Sequence, residues 1–392
     1  MTSPPAPIRE ISSREFLHDL PRSRSAQHAW IPPAGSMELT SRCNLACRHC
    51  YLHGREAARR EMSTRDACRV LDILADHGLL FLLLTGGEPL LRPDFAQIYE
   101  HAQSRGIVVN VFTNATAVTP GHVDLFGRLP PRRIEVTLYG ASAPVYEQVT
   151  RVRGSFDAFG RGLEALLATG VPVTLKAMLL ASNVHELAPM RSLAEEHGCR
   201  FRCDCIVTPA LNGSPAPLRE RLPPATVARL ESAAPDAPQA LCDLAMRRGA
   251  TSRDAGLFRC GFGTNTFHVD AAGALHGCLM WRSDPFALLE NGLTPDWNAR
   301  IARLRTQAAS GDCAACPLHA ICSICPALAA LETGTADRAP AFHCELARLR
   351  DVRARAADSN AACLRESIPA NVPLYKRQNV PYRAVEHTNS GD

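Results

Sequence analysis

Three cysteines lie close together in the stretch SRCNLACRHCYL, residues 41–52. Cys43, Cys47 and Cys50 are separated by three and by two residues. Cysteines spaced in this way are typical ligands of iron–sulfur clusters, and a cube-shaped [4Fe–4S] cluster takes four thiolates. The stretch provides three, so it predicts a cluster with one iron that these cysteines do not hold.

A zinc site is the alternative for the same stretch. Structural zinc takes four nitrogen or sulfur ligands, and His49 offers a fourth side chain beside the three thiolates. The position of the motif favours the cluster, because the motif directly follows a short strand-like segment, MELTS. Parallel βα folds place their active-site loops at the ends of strands.

A second candidate site follows the next strand-like segment. Gly86 and Gly87 would let a ligand approach the backbone closely, because glycine has no Cβ. Glu88 and exposed backbone groups beside it can receive an ammonium group. A Gly-Gly turn alone is weak evidence, and it gains weight from the cysteines one strand earlier.

The elements that must position these residues follow a strand–helix rhythm. Six strand-like runs alternate with helical segments: MELTS, LLFLLLT, IVVNVFT, IEVTLYG, VPVTLKAML and RFRCDCIV. One helix is clearly marked, because Ser63 can cap it, apolar residues follow at helical spacing, and Gly78 ends it. Six alternating units predict an α/β fold, either a parallel βα barrel or an open sheet, and six strands are too few to close an eight-stranded barrel.

Composition excludes several classes of protein. The chain has 392 residues with a net charge of +4, and its 41 arginines are scattered, so we expect no nucleic-acid partner. The start of the chain has no apolar signal segment, and its longest apolar run, GLLFLLLTGG, is too short to span a membrane. We therefore expect a cytoplasmic protein, where sixteen cysteines indicate metal rather than disulfides.

In motif order, the chain resembles the radical S-adenosylmethionine (SAM) enzymes over about residues 36–208. The likeness is carried by the three cysteines, by GGEP at 86–89, by FTNAT at 112–116 and by VTLYGAS at 136–142. The resemblance implies a partial (β/α)6 TIM-like barrel. It also implies that the open iron binds the amino and carboxylate groups of SAM, whose reductive cleavage yields a 5′-deoxyadenosyl radical that abstracts hydrogen.

The resemblance also implies which residues contact SAM. Gly86, Gly87 and Glu88 would meet its amino group, and the side chain of His49 would pack on the adenine. Thr137, where the family commonly has Ser, would reach the ribose, with Asn114 as a second candidate. Ordinary hydrogen bonding at strand ends is the alternative role for Thr137 and Asn114.

Seven more cysteines lie within residues 260–344. Their order resembles the SPASM extension of radical SAM enzymes, a small Cys-rich domain that binds two auxiliary [4Fe–4S] clusters. Two residues separate Cys322 from Cys325, where the family often has three. The family's crossing pattern assigns the outer cluster to Cys313, Cys316, Cys322 and Cys344, and the inner cluster to Cys260, Cys278 and Cys325.

The inner cluster is then one ligand short. Its fourth iron is open to substrate, or Cys242 completes it. The alternative for the whole region is a pair of structural zinc knuckles.

These features predict five segments along the chain. They are an N-terminal extension at 1–35, the radical SAM barrel at 36–208, a bridging segment at 209–259, the SPASM domain at 260–350 and a C-terminal tail at 351–392.

SPASM-bearing enzymes mostly modify ribosomally made peptides, by cross-linking, oxidation, epimerisation or excision, so the resemblance implies a peptide maturase. Residues 1–35 are too short for a winged-helix module that grips a leader peptide, so leader recognition would need a separate leader-binding protein or another surface of this chain. An external electron donor of the flavodoxin or ferredoxin type is also implied.

Leu279 stands where the sulfatase-maturing branch has an Asp base, which argues against that activity. The alternatives are a radical SAM dehydrogenase of a sugar or alcohol, and a non-enzymatic iron–sulfur or zinc protein.

Two polar residues near the barrel mouth are the candidates for catalysis. Asp204 would act as a general base if burial raised its pKa. Lys176 is one of only two lysines in the chain, and its alternative role is a salt bridge or a snorkelling side chain. Tyr139 and Arg202 are further polar groups in the same region.

Overall fold

The structure, a computed structural model, describes most of the chain. The described ranges are 30–52, 61–234, 257–258, 260–308, 311–322 and 324–358. The predictions for Cys242, for most of the N-terminal extension and for most of the tail concern residues outside these ranges. None of the helices within them is both long and apolar enough to cross a bilayer.

Six parallel strands form the first part of the sheet. They are β1 Ala34–Glu38, β2 Phe81–Thr85, β3 Val108–Thr113, β4 Arg133–Thr137, β5 Val173–Met178 and β6 Arg200–Asp204. Each strand pairs in parallel with the next one along the chain. This sequential parallel order confirms the predicted α/β fold.

Helices follow the strands, as parallel connections require. They are α1 Thr64–Asp76, α2 Phe95–Ser104, α3 Pro120–Arg128, α4 Ala143–Thr150, α5 Ser155–Leu167 and α6 Leu187–Glu196. Helix α1 begins as the sequence predicts: the Asp66 N–H donates to Ser63 Oγ at 3.1 Å, and the Ser63 N–H donates to Asp66 Oδ2 at 3.3 Å. Short 3₁₀ turns lie at Pro89–Leu91, Val184–Glu186 and Ala216–Glu220.

The two faces of the sheet differ in chemistry. Successive side chains of a strand point to opposite faces. The face covered by helices is apolar, and Leu82, Val109 and Ile134 are among its fully buried members. The opposite face, called the inner face below, carries Glu38, Glu135 and other polar residues. The inner face is therefore available for a site, while the outer face forms the core.

The bridging segment and the cysteine-rich region contain one small hairpin and several helices. They are α7 Pro224–Ser232, β7 His268–Val269, β8 Leu275–His276, α8 Leu288–Asn291, α9 Pro295–Arg305, α10 Gly311–Ala314, α11 His319–Cys322, α12 Pro326–Thr333 and α13 Ala341–Asp358. Helix α13 packs against α7, and Arg350 Nε donates to Glu231 Oε2 between them at 3.0 Å.

The hairpin extends the barrel sheet. Strand β7 pairs in parallel with β1, with Ser36 opposite His268, and β8 pairs antiparallel with β7. The strand order is therefore β6-β5-β4-β3-β2-β1-β7-β8. The predicted boundary near residue 260 thus falls between parts of one continuous sheet, and the domain limits stay a prediction.

Candidate active site

The three-cysteine loop follows β1 and is held by backbone hydrogen bonds. The N–H groups of Ala46 and Arg48 donate to the carbonyls of Thr150 and Val149, at 2.9 and 3.1 Å. These carbonyls lie in the last turn of α4. The loop therefore spans from β1 to the helix that follows β4, across the ends of the strands.

The three thiols of this loop lie near enough for their charges to interact. Burial, reinforced by the neighbouring thiols, raises the pKa of Cys43 to about 11 and that of Cys47 to about 12. Each thiolate makes it harder for the neighbouring thiols to lose a proton. A bound metal ion offsets this repulsion, because its positive charge stabilises the thiolates. Cys43 is also exposed, so a ligand can reach the group. These residues fit a cluster held by three cysteines.

Side chains outside the loop donate hydrogen bonds to its sulfurs. The Tyr139 hydroxyl bonds to the Cys47 thiol, and Asn114 Nδ2 lies 3.7 Å from Cys43 Sγ. Hydrogen bonds to the cysteine sulfurs are among the factors that set the reduction potential of a cluster. Sequence reasoning named Tyr139 only as a polar group at the barrel mouth. No local signal shows that it contacts Cys47, a residue 92 positions earlier.

The two glycines after β2 are required by the cysteine loop itself. A Cβ on Gly86 would lie 2.3 Å from the Thr40 carbonyl oxygen, and one on Gly87 would lie 2.2 Å from that of Arg42. Gly86 also has a φ of 147°. The Gly87 N–H donates to Thr40 O at 2.8 Å, so the two loops are joined backbone to backbone. The predicted contact of both glycines with SAM stays a prediction, while close packing of the loops already explains their presence.

The Glu88 carboxylate is fully buried and turned towards the protein. It accepts hydrogen bonds from Thr113 Oγ1 at 2.7 Å, from the Asn114 N–H at 2.6 Å and from the Leu90 N–H at 3.1 Å. Burial outweighs these bonds and raises the pKa of Glu88 to about 7. The side chain therefore joins the loops after β2 and β3. Because the carboxylate is occupied by these bonds, only the backbone of Glu88 is free to contact the amino group of SAM. That contact stays a prediction.

Asn114 has several protein partners besides Cys43. Its Nδ2 donates to Asn44 Oδ1 at 3.1 Å, and its Oδ1 accepts from Thr116 Oγ1 at 2.6 Å. This is the strand-end hydrogen bonding that sequence analysis kept as its alternative role. Thr137 ends β4 on the inner face, opposite Lys176 in the register. The ribose contacts predicted for Asn114 and Thr137 stay predictions.

His49 belongs to a small aromatic group. Its ring centroid lies 5.5 Å from that of Tyr139, which in turn lies 5.5 Å from that of Tyr146. Burial lowers the pKa of His49 to about 4, so the ring is neutral near pH 7. A neutral flat ring is suited to the predicted contact with adenine, which stays a prediction.

The two candidate catalytic residues share the inner face but differ in exposure. Lys176 Nζ lies 3.7 Å from Glu135 Oε2 and 4.0 Å from the centroid of the Phe112 ring. Asp204 is exposed, and its Oδ1 accepts the Ile206 N–H at 2.9 Å. The assignment of Asp204 as a base depends on burial, and the residue is not buried. Its catalytic role therefore stays a prediction.

The seven C-terminal cysteines include several whose charges interact. The charge of Cys322 interacts with those of Cys344, Cys313 and Cys316. The charge of Cys278 interacts with those of Cys325 and Cys260. The assignment of these cysteines to an outer and an inner cluster stays a prediction. Within the described residues, no three His, Cys, Asp or Glu side chains are arranged as the ligands of one metal ion.

A buried charged cluster connects β1 to the hairpin. Arg282 Nη2 donates to Glu38 Oε1 at 2.7 Å, and His268 Nε2 lies 3.5 Å from the same oxygen. Arg282 Nε also donates to the carbonyl of Leu279, the residue after Cys278, at 2.6 Å. Sequence reasoning missed this cluster, and the only signal was an acidic residue inside the strand-like run MELTS.

Comparison with known proteins identifies the first part of the chain. Residues 37–193 match the model of the radical SAM superfamily. The chain contains a radical SAM domain. For proteins with this domain a [4Fe–4S] cluster and SAM are implied, and the match favours iron–sulfur over zinc at Cys43, Cys47 and Cys50.

Two relatives extend the comparison. The mycofactocin maturase MftC of Mycobacterium ulcerans is 28% identical over 308 residues, which are 73% of this chain and 80% of that one. The PqqA peptide cyclase of Ruegeria pomeroyi is 32% identical over 173 residues, 43% of this radical SAM chain and 46% of the relative. The second match therefore spans less than half of each protein.

Solved structures support the fold of the radical SAM chain. Streptococcus suis SuiB bound to S-adenosylmethionine is 15% identical with a TM-score of 0.62, over 80% of this chain and 75% of that one. The structure of anSMEcpe with bound AdoMet has a TM-score of 0.61 at 14% identity, over 85% and 98% of the two chains. Both matches extend well beyond the residues of the superfamily match, so they bear on the C-terminal region as well.

Proposed function

We propose that this protein is a peptide maturase that uses SAM radical chemistry on a ribosomally made peptide. The observation that carries the proposal is the radical SAM match over residues 37–193, with Cys43, Cys47 and Cys50 in the loop after β1. Relatives named as a maturase and as a peptide cyclase support a peptide over a small molecule.

Cys43, Cys47 and Cys50 would hold the [4Fe–4S] cluster that binds SAM. When bound, cluster and SAM together supply a carbon radical that removes hydrogen from the substrate. The protein's part is to position and shield the site. Gly86 and Gly87 let the two loops meet, Glu88 fixes the loop after β3, and His49, Asn114 and Thr137 are the proposed contacts to SAM.

The two C-terminal groups would hold auxiliary [4Fe–4S] clusters. Cys313, Cys316, Cys322 and Cys344 would provide the four thiolates of the outer cluster. Cys260, Cys278 and Cys325 leave one iron for Cys242 or for substrate. These clusters would take up the electron that an oxidised peptide releases, and Lys176 or Asp204 would take up the proton. A leader-binding protein and a flavodoxin or ferredoxin remain the proposed partners.

Mass spectrometry of a precursor peptide would test the proposal. The probe is the product of a short open reading frame next to the gene, co-expressed with the enzyme. We expect a mass change in the peptide that needs the wild-type enzyme, and 5′-deoxyadenosine from the anaerobic protein supplied with SAM and dithionite. The triple Cys43→Ala/Cys47→Ala/Cys50→Ala variant should do neither. Cleavage of SAM without a change in any neighbouring peptide would contradict the peptide substrate but not the radical chemistry.

A further inference from the structure

The inner face of β4, β5 and β6 carries more cations than anions. Strand register and alternation place Arg133, Glu135, Lys176, Arg200, Arg202 and Asp204 on it. They comprise four cations and two carboxylates, one of them the exposed Asp204. Arginine and lysine gathered on one concave face attract anionic groups of a ligand.

The ion pairs on this face are incomplete. Glu135 Oε2 lies 3.7 Å from Lys176 Nζ, and Glu135 Oε1 lies 3.7 Å from Arg202 Nη1. Both distances exceed those of charge-assisted hydrogen bonds, which are about 2.7–2.9 Å. Within the described residues, Glu135 Oε2 is buried without a hydrogen-bond partner. One carboxylate is thus shared by two cations without a close bond to either.

Lys176 lies among groups that favour its positive charge and groups that oppose it. Its ammonium lies over the Phe112 ring at 4.0 Å, and Glu135 and Asp204 both stabilise its charged form. Burial, together with Arg202, acts in the opposite direction and lowers the pKa of Lys176. An additional carboxylate between Lys176 and Arg202 would relieve this repulsion.

The location suits a substrate. Glu135 precedes Thr137 by two residues on β4, so it lies on the same face, one step further into the barrel. Lys176 is opposite Thr137 in the register. Lys176 and Arg202 therefore lie level with the residue proposed to contact the ribose of SAM, on the two neighbouring strands.

We propose that Lys176 and Arg202 bind a carboxylate side chain of the peptide substrate. Glu135 holds the two cations apart, and its Oε2 accepts an N–H of the same peptide. The substrate is then a peptide with Asp or Glu close to the modified residue. This inference rests on the proposed peptide maturase function, and it makes Lys176 a substrate anchor instead of a proton acceptor.

A random decapeptide library displayed on its own mRNA would test this subsite with the full-length, anaerobically reconstituted enzyme. The library is selected on three proteins: wild type, Lys176→Gln/Arg202→Gln, and the control Arg191→Gln. Arg191 lies over Phe201, on the opposite face of β6, so the control removes an arginine charge without touching the inner face. We expect wild type and control to enrich Asp and Glu, and the double variant to lose this enrichment.

The affinity of the best acidic peptide should fall at least about tenfold in the double variant, because two charged partners of a carboxylate are removed. Iron content and the far-ultraviolet circular dichroism spectrum of the double variant should match those of the wild type, which would show that the variant is folded. An unchanged acidic preference in the double variant, or no such preference in wild type, would overturn the inference. Loss of SAM binding with intact peptide selection would also overturn it, since the cations would then serve the carboxylate of SAM. Failure to select peptides of any sequence would instead remove the peptide maturase proposal on which it rests.

Discussion

At the scale of single residues, the hydrogen bond from Tyr139 to Cys47 bears directly on reduction of the SAM-binding cluster. A donor to a cysteine sulfur stabilises the more negative, reduced cluster. We expect Tyr139→Phe to shift the ratio of reduced to oxidised cluster by about tenfold towards oxidised, about 59 mV for a one-electron couple. Redox titration followed by electron paramagnetic resonance, with SAM added to identify the signal, would measure it.

Tyr146→Phe is the matched control for this change. Its ring packs on Tyr139, and its hydroxyl is buried with no hydrogen-bond partner in the described part of the chain. Removing that hydroxyl should leave the reduction potential of the SAM-binding cluster unchanged. Equal shifts in the two variants would show that the Tyr139 bond does not tune the cluster.

The glycine contacts allow a second prediction at this scale. Gly87→Ala would place a Cβ 2.2 Å from the Arg42 carbonyl oxygen, so the cysteine loop must move. We expect the purified variant to lose up to about four iron atoms per chain, the content of one [4Fe–4S] cluster, and to lose cleavage of SAM. Gly160→Ala, in α5 with nothing within 4 Å of its Cβ, is the control and should keep its iron. Full iron content in Gly87→Ala would contradict the packing argument.

At the scale of elements, the buried pair Glu38–Arg282 joins β1 to the loop that carries Cys278. Breaking a buried pair by removing one partner costs about 3–5 kcal/mol, because it leaves an uncompensated charge. We therefore expect Glu38→Gln and Arg282→Gln each to destabilise the protein by this amount. The double variant should cost less than the sum of the single ones. Urea unfolding followed by circular dichroism would measure the three values, and strict additivity would argue against the pair.

The same pair predicts how stability depends on pH. Burial alone raises the pKa of Glu38, but His268 and Arg282 outweigh it and lower the pKa to about 2. The charged form is therefore favoured in the folded protein, and its contribution is complete above about pH 4.5. It is lost as the pH falls towards 2 and amounts to about 3 kcal/mol. Unfolding midpoints of the cluster-free chain should decline over this range in the wild type, and Glu38→Gln should flatten the decline. An unaltered decline would mean that other carboxylates cause it.

At the scale of the whole molecule, the three cysteine groups should act as separate sites. The triple variant of Cys43, Cys47 and Cys50 is expected to retain about eight iron atoms per chain, the content of two [4Fe–4S] clusters. Cys316→Ala should weaken only the outer cluster and leave cleavage of SAM in place. Iron analysis and Mössbauer spectroscopy would test both. Loss of all iron from the triple variant would indicate that the sites are not independent.

Much of this protein could be predicted from the sequence because the relevant signals are local. The order of strands and helices follows from short periodic patterns, as the cap at Ser63 illustrates. The motifs around Cys43 and Gly86 lie at strand ends, where a parallel fold places its active-site loops. The cysteines that would bind clusters could therefore be named without coordinates.

Only the tertiary structure decided how distant residues meet. It placed β7 beside β1 and brought Tyr139 to Cys47. It also showed that Gly86 and Gly87 are needed for contact between two loops. The physical reason is that such contacts depend on how the strands and loops pack together, and spacing along the chain does not specify which distant groups share a face or a loop.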